Sequence, residues 1–110
     1  MEIIKTTLNS KKDIINAGNA SGVLKDYVGQ TLTMTGAVIY SETDKDGDEH
    51  VVTSIKTDHG FIGSTSANVR NTAETIMNEW APDELISGVP FVVRSAKSKN
   101  GREFLSLELV

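Results

Sequence analysis

The amino-acid sequence predicts a mainly β domain, a five-stranded barrel with one helix between the third and fourth strands. Two turn signals, Asp-Gly at 46–47 and Asn-Gly at 100–101, lie between runs of alternating apolar and polar residues and predict two hairpins. Between the hairpins, residues 69–80 show apolar side chains at helical spacing. A chain of 110 residues with 38% hydrophobic residues can bury one core, so we expect a single domain over residues 1–110.

The first hairpin is expected to comprise residues 31–40 and 50–57, which are rich in threonine and β-branched residues. Gly36 interrupts the first of these strands and predicts a bulge or a bend, because a glycine inside a strand often marks one. A short third strand over residues 61–64 follows an Asp-His-Gly turn. Alternation places three apolar side chains on one face of the first strand: Leu32, Met34 and Val38.

The helix is expected to start after Thr65 or Ser66 as the N-cap residue and to end before Pro82. The second hairpin then occupies the rest of the chain. In its closing strand the side chains of Leu105, Leu107 and Leu109 point to the core, and that of Phe104 points to the opposite face. Residues 1–29 form an N-terminal extension with one helical turn at 12–17.

The predicted element order is strand, strand, strand, helix, strand, strand. This is the order of the oligonucleotide- or oligosaccharide-binding fold (OB-fold), a five-stranded Greek-key barrel. An open α+β sheet has the same order and remains an alternative.

Composition and motifs argue against several functional classes. The chain has no cysteine, which excludes disulfides, thiolate metal sites and a cysteine nucleophile. It has no apolar run near the ~18 residues of a membrane span, and its first residues do not resemble a secretory signal, so we expect a cytoplasmic protein with no membrane contact. Phosphate-binding glycine motifs and catalytic motifs are missing, so we expect neither an enzyme nor a bound cofactor.

The acidic segment 42–49 invites a calcium-binding interpretation that its spacing does not support. Asp44, Asp46 and Asp48 have the spacing of the first three ligands of an EF-hand loop. Glu49 then stands where that loop needs glycine, and Ile55 stands where it needs glutamate. A solvated hairpin tip without a metal is the better prediction, and His50 and His59 are expected to be surface residues.

Charge is unevenly distributed along the chain, whose net charge is −4. Residues 1–87 contain 7 Lys and Arg against 13 Asp and Glu, whereas residues 88–110 contain 4 against 2. The basic residues of the last segment surround its turn, with Arg94 on the outer face of the preceding strand. They are Arg94, Lys97, Lys99 and Arg102. This cluster indicates either a nucleic-acid contact or only a solvated strand edge.

Phe104 favours the nucleic-acid interpretation, because proteins that bind single strands combine cations for phosphates with aromatic rings for bases. The alternative is that residues 1–15 cover this ring. Tyr40 and Phe61 are two further candidate rings. Phe61 has the stronger alternative role in the core, whereas Tyr40, with its polar hydroxyl, is the better stacking platform.

Four segments resemble a known family: "GQTLTMTGAVIY", "VVTSIKTDHG", "TSANVRNTAETI" and "SKNGREFLSLELV". Over residues 28–110 the chain is similar to the single-stranded DNA-binding proteins of small protein-primed podoviruses of Gram-positive bacteria. The resemblance implies an OB-type barrel that coats displaced strands during phage DNA replication, without reading sequence. It also implies that Tyr40 matches one of the family's stacking tyrosines. The chain departs from the family in having acids in the first hairpin loop, and Phe61 and Ile62 in place of a tyrosine.

We therefore predict a sequence-independent single-stranded DNA-binding protein with DNA crossing the first hairpin and the last turn. The predicted phosphate contacts are Lys56, Arg94, Lys97, Lys99 and Arg102, and the predicted stacking rings are Tyr40, Phe61 and Phe104. Replication proteins are expected partners, and the protein is expected to be a monomer or a small homo-oligomer. The alternative is a protein-interaction module that binds a partner through a strand edge or the acidic hairpin.

Overall fold

The computed structural model describes all 110 residues and has 45% strand and 26% helix, so the predicted mainly β class is confirmed. The strands are β1 (Glu2–Thr6), β2 (Gly22–Val23), β3 (Thr31–Thr43), β4 (Glu49–Thr57), β5 (Gly60–Ser64), β6 (Val89–Lys97) and β7 (Glu103–Leu109). The helices are α1 (Lys11–Gly18), α2 (Ala67–Glu79) and α3 (Pro82–Leu85), with a 3-10 helix over Leu24–Tyr27.

Strands β3 to β7, with α2 between β5 and β6, reproduce the predicted element order. The predicted strand count and single helix are wrong, because residues 1–29 add β1, α1, β2 and the 3-10 helix, and α3 follows α2. Helix α2 begins where the sequence indicates: the Ser66 hydroxyl caps it by accepting a hydrogen bond from the Val69 N–H at 3.3 Å. None of the helices combines the length and the apolar character needed to cross a membrane.

The seven strands form one sheet that curls into a half-barrel, in the order β2-β5-β4-β3-β6-β7 with β1 beside β3. All pairs are antiparallel except β2 with β5. The two ends of the sheet, β2 and β7, are not paired with each other. This gap between them is called the seam below.

Strand β3 connects the sheet because it pairs with three neighbours. One edge pairs with β4, and the other pairs first with β6, over residues 31–34, and then with β1, over residues 38–41. The register with β4 shifts between Met34 and Gly36, so the predicted bulge is confirmed. A Cβ atom on Gly36 would lie 2.8 Å from Cδ2 of Leu8, which shows how closely the N-terminal segment approaches the strand.

The bulge changes which side chains of β3 face the main core. Ala37 and Ile39 belong to that core, whereas Val38 and Tyr40 belong to a second, smaller core. The predicted face of Val38 is therefore wrong, because one extra residue in a strand inverts the alternation that follows it.

The two cores lie on opposite faces of the sheet. The main core fills the half-barrel and includes Phe91 and Val93, both with no exposed surface. The second core lies under α1, which contacts β3, β4 and β5, and consists of Ala17, Val38, Tyr40 and Phe61. The Ser54 hydroxyl ties α1 to the sheet by donating a hydrogen bond to the Ala17 carbonyl at 2.9 Å.

Thr53 and Thr57 on β4 allow a matched test of hydrogen bonding by buried hydroxyl groups. Both are buried, but Oγ1 of Thr53 has no hydrogen-bond partner, whereas Oγ1 of Thr57 donates to the Gly60 carbonyl and accepts from the His59 N–H. We expect Thr53→Val to raise the free energy of unfolding by about 1 kcal/mol and Thr57→Val to lower it by about 1–3 kcal/mol. Urea denaturation measures both, and a loss of stability in Thr53→Val would contradict the assignment of an unpartnered hydroxyl.

Candidate functional site

A pocket of about 870 Å³ lies at the seam, within the size range of roughly 300–1,000 Å³ found for ligand sites. We call it the seam pocket. One wall comes from β2 and the 3-10 helix, one from the start of β7, and a third from the end of β5 and the residues after it. Its lining residues include Gly22–Lys25, Gly63–Ser66, Glu103–Leu105, Tyr40 and Val52.

Phe104 supplies the open aromatic ring of this pocket. It is 40% exposed, and it belongs to neither core. Strand β1 pairs with β3, so the ring is not covered by pairing of the N-terminal segment, which was the alternative to binding. Leu105 and Leu107 pack on the main core as predicted, whereas Leu109 is 45% exposed near the end of the chain.

Tyr40 also lines the seam pocket, but it is only 3% exposed because its ring packs in the second core. Burial raises the pKa of its hydroxyl, and the nearby Glu42 carboxylate raises it further. Phe61 is 8% exposed in the same core and does not line the pocket. The open ring expected for Tyr40 is therefore not found, because α1 and the residues next to it cover this face of the sheet. Phe61 has the core role that was the stronger alternative for it.

Three cations of the predicted cluster surround the turn between β6 and β7, over residues 97–102, which we call the basic hairpin. Its backbone is closed by hydrogen bonds from Ser98 N–H to the Arg102 carbonyl at 2.8 Å and from Gly101 N–H to the Ser98 carbonyl at 2.9 Å. Gly101 has φ +77°, which is easy for glycine alone. No carboxylate oxygen lies within 4.0 Å of the charged nitrogens of its three cations, Lys97, Lys99 and Arg102.

The other two predicted phosphate contacts are held in ion pairs. Arg94 lies on the outer face of β6, as predicted, and its Nε is 2.8 Å from the Glu108 carboxylate. Lys56 Nζ is 2.9 Å from the Asp13 carboxylate of α1, in a separate pocket of about 490 Å³. The structure therefore brings Phe104 together with the basic hairpin but places Lys56 elsewhere.

Lys25 was not recognised from the sequence, although it is the one cationic residue that lines the seam pocket. Its neighbour Leu24 is 1% exposed in the main core and holds the 3-10 helix against the half-barrel. Lys25 is exposed on the wall across the seam from Phe104, and it has no ion-pair partner. The signal that would have found it is a leucine beside a lysine in the N-terminal extension, which is too short a pattern to stand alone.

Asp44, the central acid of the acidic hairpin (residues 42–49), has a structural role. The Asp44 carboxylate accepts hydrogen bonds from the N–H groups of Asp46 and Asp48, both at 2.9 Å, and lies 2.8 Å from His50 Nε2. The hydrogen bond with His50 is the main cause of a lowered pKa of Asp44, and the same bond raises the pKa of His50. Asp44 therefore holds the turn together, and both histidines are exposed as predicted.

The family model described as phage single-stranded DNA-binding protein, of the phi29 type, matches residues 2–110 of the chain. The chain belongs to this family. No curated protein and no solved structure gives a significant match.

Membership in the phage single-stranded DNA-binding family confirms the identification made from the four sequence segments. It supports single-stranded DNA binding in phage replication as the activity of this chain. The match begins at residue 2, so the family model also includes the N-terminal extension that builds β1, α1 and β2.

The Asp44–His50 pair makes the acidic hairpin sensitive to pH. Because the pKa of His50 is raised, its contribution to hairpin stability is complete below the unfolded value of about 6.5 and is lost as pH rises through the folded value. The lowered pKa of Asp44 acts in the opposite sense, so its contribution is present above the unfolded value and is lost as pH falls through the folded value.

We expect Asp44→Asn to lower the pKa of His50 toward about 6.5, because the variant removes the carboxylate that stabilises the imidazolium. An NMR titration of the imidazole protons measures this value. His59 serves as the internal control, since it contacts Asp58 and not Asp44. A pKa of His50 that does not change would show that the pair is not formed in solution.

Proposed function

We propose that this protein coats and protects the single strands displaced during phage genome replication, using the seam pocket and the basic hairpin as one continuous binding surface. The proposal rests on the open ring of Phe104 beside the basic hairpin. This ring lies two residues after Arg102, and the three cations of the hairpin have no carboxylate partner. Rings that stack bases beside cations that follow the phosphates are the usual parts of a single-strand binding surface.

A path for the strand follows from the positions of these groups. The phosphates contact the basic hairpin, a base stacks on Phe104 inside the seam pocket, and the backbone continues to Lys25 on the opposite wall. The hydroxyl-rich run Ser64–Ser66 lines the pocket between the two walls and offers hydrogen bonds that do not depend on the base.

The arrangement of the strands supports an OB-type architecture for this surface. OB-folds bind oligonucleotides on the face of their second and third strands, between the loops that follow the first and the fourth. Counting from β3, the second and third strands are β4 and β5, and Val52 and Gly63 of these strands line the seam pocket. The two loops are then the acidic hairpin and the basic hairpin.

The proposed setting is the cytoplasm of the infected host cell, where replicating phage DNA exposes single strands. The protein acts there as a monomer or a small homo-oligomer, alongside the replication proteins. Its contact with DNA is non-catalytic. The bound protein protects the strand because it blocks access by nucleases and prevents base pairing.

The alternative, a module that binds a protein partner through a strand edge or the acidic hairpin, differs in its response to salt. For a flexible single strand, the logarithm of the binding constant falls linearly with the logarithm of the salt concentration, with a slope near −0.7 per phosphate neutralised. A fluorescence titration with an unstructured oligonucleotide at several salt concentrations tests this directly. Absence of oligonucleotide binding at low salt would favour the protein-partner alternative.

Alanine substitutions in the basic hairpin test which cations contact phosphates. We expect Lys97→Ala, Lys99→Ala and Arg102→Ala each to make the dependence of log affinity on log salt shallower, by about 0.7 in slope, because each removes a free cation. Lys56→Ala and Arg94→Ala should reduce it less, since these side chains are already neutralised by Asp13 and Glu108. Equal effects in all five variants would contradict the division between free and paired cations.

Phe104→Leu tests the stacking ring, with Phe61→Leu as the matched control. Phe104→Leu should cost about 1–3 kcal/mol of binding free energy, the typical value of one stacked base, with little change in stability because the ring is exposed. Phe61→Leu should leave binding by the folded protein unchanged and lower stability, because its ring is buried in the second core. Normal binding by Phe104→Leu would remove the central contact of the proposal.

A further inference from the structure

We propose that the end of the seam pocket at the start of α2 is a phosphate-binding subsite. It is formed by the first N–H groups of α2, the hydroxyls of Thr65 and Tyr40 and the ammonium group of Lys25. The inference rests on the proposed function and concerns the same pocket. It goes further because one phosphodiester of the strand is held by donors fixed in the fold, whereas coating requires only cations along the path.

Helix α2 begins with two backbone donors that have no acceptor in the protein. The N–H groups of Ala67 and Asn68 make no hydrogen bond, whereas the next two N–H groups of the helix donate to the hydroxyl and the carbonyl of Ser66. Unpaired N–H groups at the start of a helix point out along its axis and carry partial positive charge, so an anion is favoured there. No acidic side chain of the first turn supplies that charge.

The sheet places Lys25 and Thr65 at the same end of the pocket. Strands β2 and β5 are parallel, and Val23 pairs with Gly63, so the residues that follow the two strands lie at one end of the sheet. Lys25 comes two residues after Val23, Thr65 comes two residues after Gly63, and both line the seam pocket. Both are exposed, the Lys25 ammonium group has no carboxylate within 4.0 Å, and the Thr65 hydroxyl makes no hydrogen bond within the protein.

Tyr40 independently indicates a ligand at this place. It is 3% exposed and lines the pocket, but its hydroxyl makes no hydrogen bond within the protein. A buried tyrosine hydroxyl usually has a partner, and here the pocket is the side from which one can come. Tyr40 pairs with Val52, and the register of β4 and β5, extended by one residue, pairs Val52 with Thr65. The two hydroxyl-bearing residues therefore lie on one face of the sheet, on either side of Val52.

The groups that meet here select an anionic acceptor. The ammonium group and the two N–H groups can only donate, and both hydroxyls can donate. The raised pKa of Tyr40 keeps its hydroxyl protonated at neutral pH. Glu103, the one carboxylate that lines the pocket, accepts a hydrogen bond from Ser95 of β6 and points to the face of β7 opposite Phe104. A phosphate oxygen therefore satisfies these donors, whereas a base edge offers fewer acceptors and no charge.

Backbone amide NMR tests the subsite directly. On saturation with an unstructured oligothymidylate, we expect the amide proton signals of Ala67 and Asn68 to move downfield, because their N–H groups gain an acceptor. A parallel titration with inorganic phosphate at constant ionic strength distinguishes a backbone phosphodiester from free phosphate as the ligand. Shifts with inorganic phosphate and none with the strand would overturn the contact with DNA, and no shift with either would overturn the subsite.

Three variants each remove one donor. Thr65→Val and Tyr40→Phe should weaken oligothymidylate binding about 10-fold with an unchanged salt slope, the lower end of the effect of one hydrogen bond to a charged group. Lys25→Gln should make the salt dependence shallower by about 0.7 in slope. Matched controls of the same residue types outside the pocket are Thr72→Val, Tyr27→Phe and Lys12→Gln. The controls should keep the wild-type affinity and slope.

The outcomes separate this inference from the proposed function. Wild-type affinity in either hydroxyl variant would overturn the subsite and leave single-strand binding intact. Equal losses in Tyr40→Phe and Tyr27→Phe would assign the effect to packing and would also overturn it. Failure of the wild-type protein to bind any strand would overturn the proposed function itself.

Discussion

The bulge in β3 between Met34 and Gly36 is the local feature on which the rest of the structure depends. It lets one 13-residue strand pair with β6 at its start and with β1 further along the same edge. It also turns Ala37 and Ile39 toward the half-barrel while Val38 and Tyr40 face α1. A strand without the bulge would exchange these two sets, so that Val38 and Tyr40 would face the half-barrel and Ala37 and Ile39 would face α1.

Because the sheet curls without closing, its two ends form the walls of the candidate site. Strand β2 and the 3-10 helix stand on one side of the seam, and β7 stands on the other. Leu24 anchors the first wall in the main core, and Leu107 and Leu105 anchor the second, so that Lys25 and Phe104 are held by buried neighbours. Helix α2 adds a further tie, since the side-chain amide of Asn68 donates to the Leu105 carbonyl at 3.0 Å.

Short-range patterns predicted the parts of the structure that depend on neighbouring residues. The two glycine turns, the helix capped by Ser66 and the outward direction of Phe104 all follow from alternation, spacing or capping chemistry. The burial of Tyr40 could not be predicted in this way, because it depends on a bulge and on coverage by α1. The pairing of Lys56 with Asp13 was missed for the same reason, since these residues are 43 positions apart in the chain.

Mapping of backbone amide NMR shifts during titration with an unstructured oligonucleotide tests most directly the proposal that single-stranded DNA occupies the seam and the basic hairpin. We expect the largest shift changes on residues 22–25, 63–66 and 97–105, which surround the seam pocket and the adjoining turn. Changes confined to the acidic hairpin, or to β1 and the exposed face of α1, would contradict it.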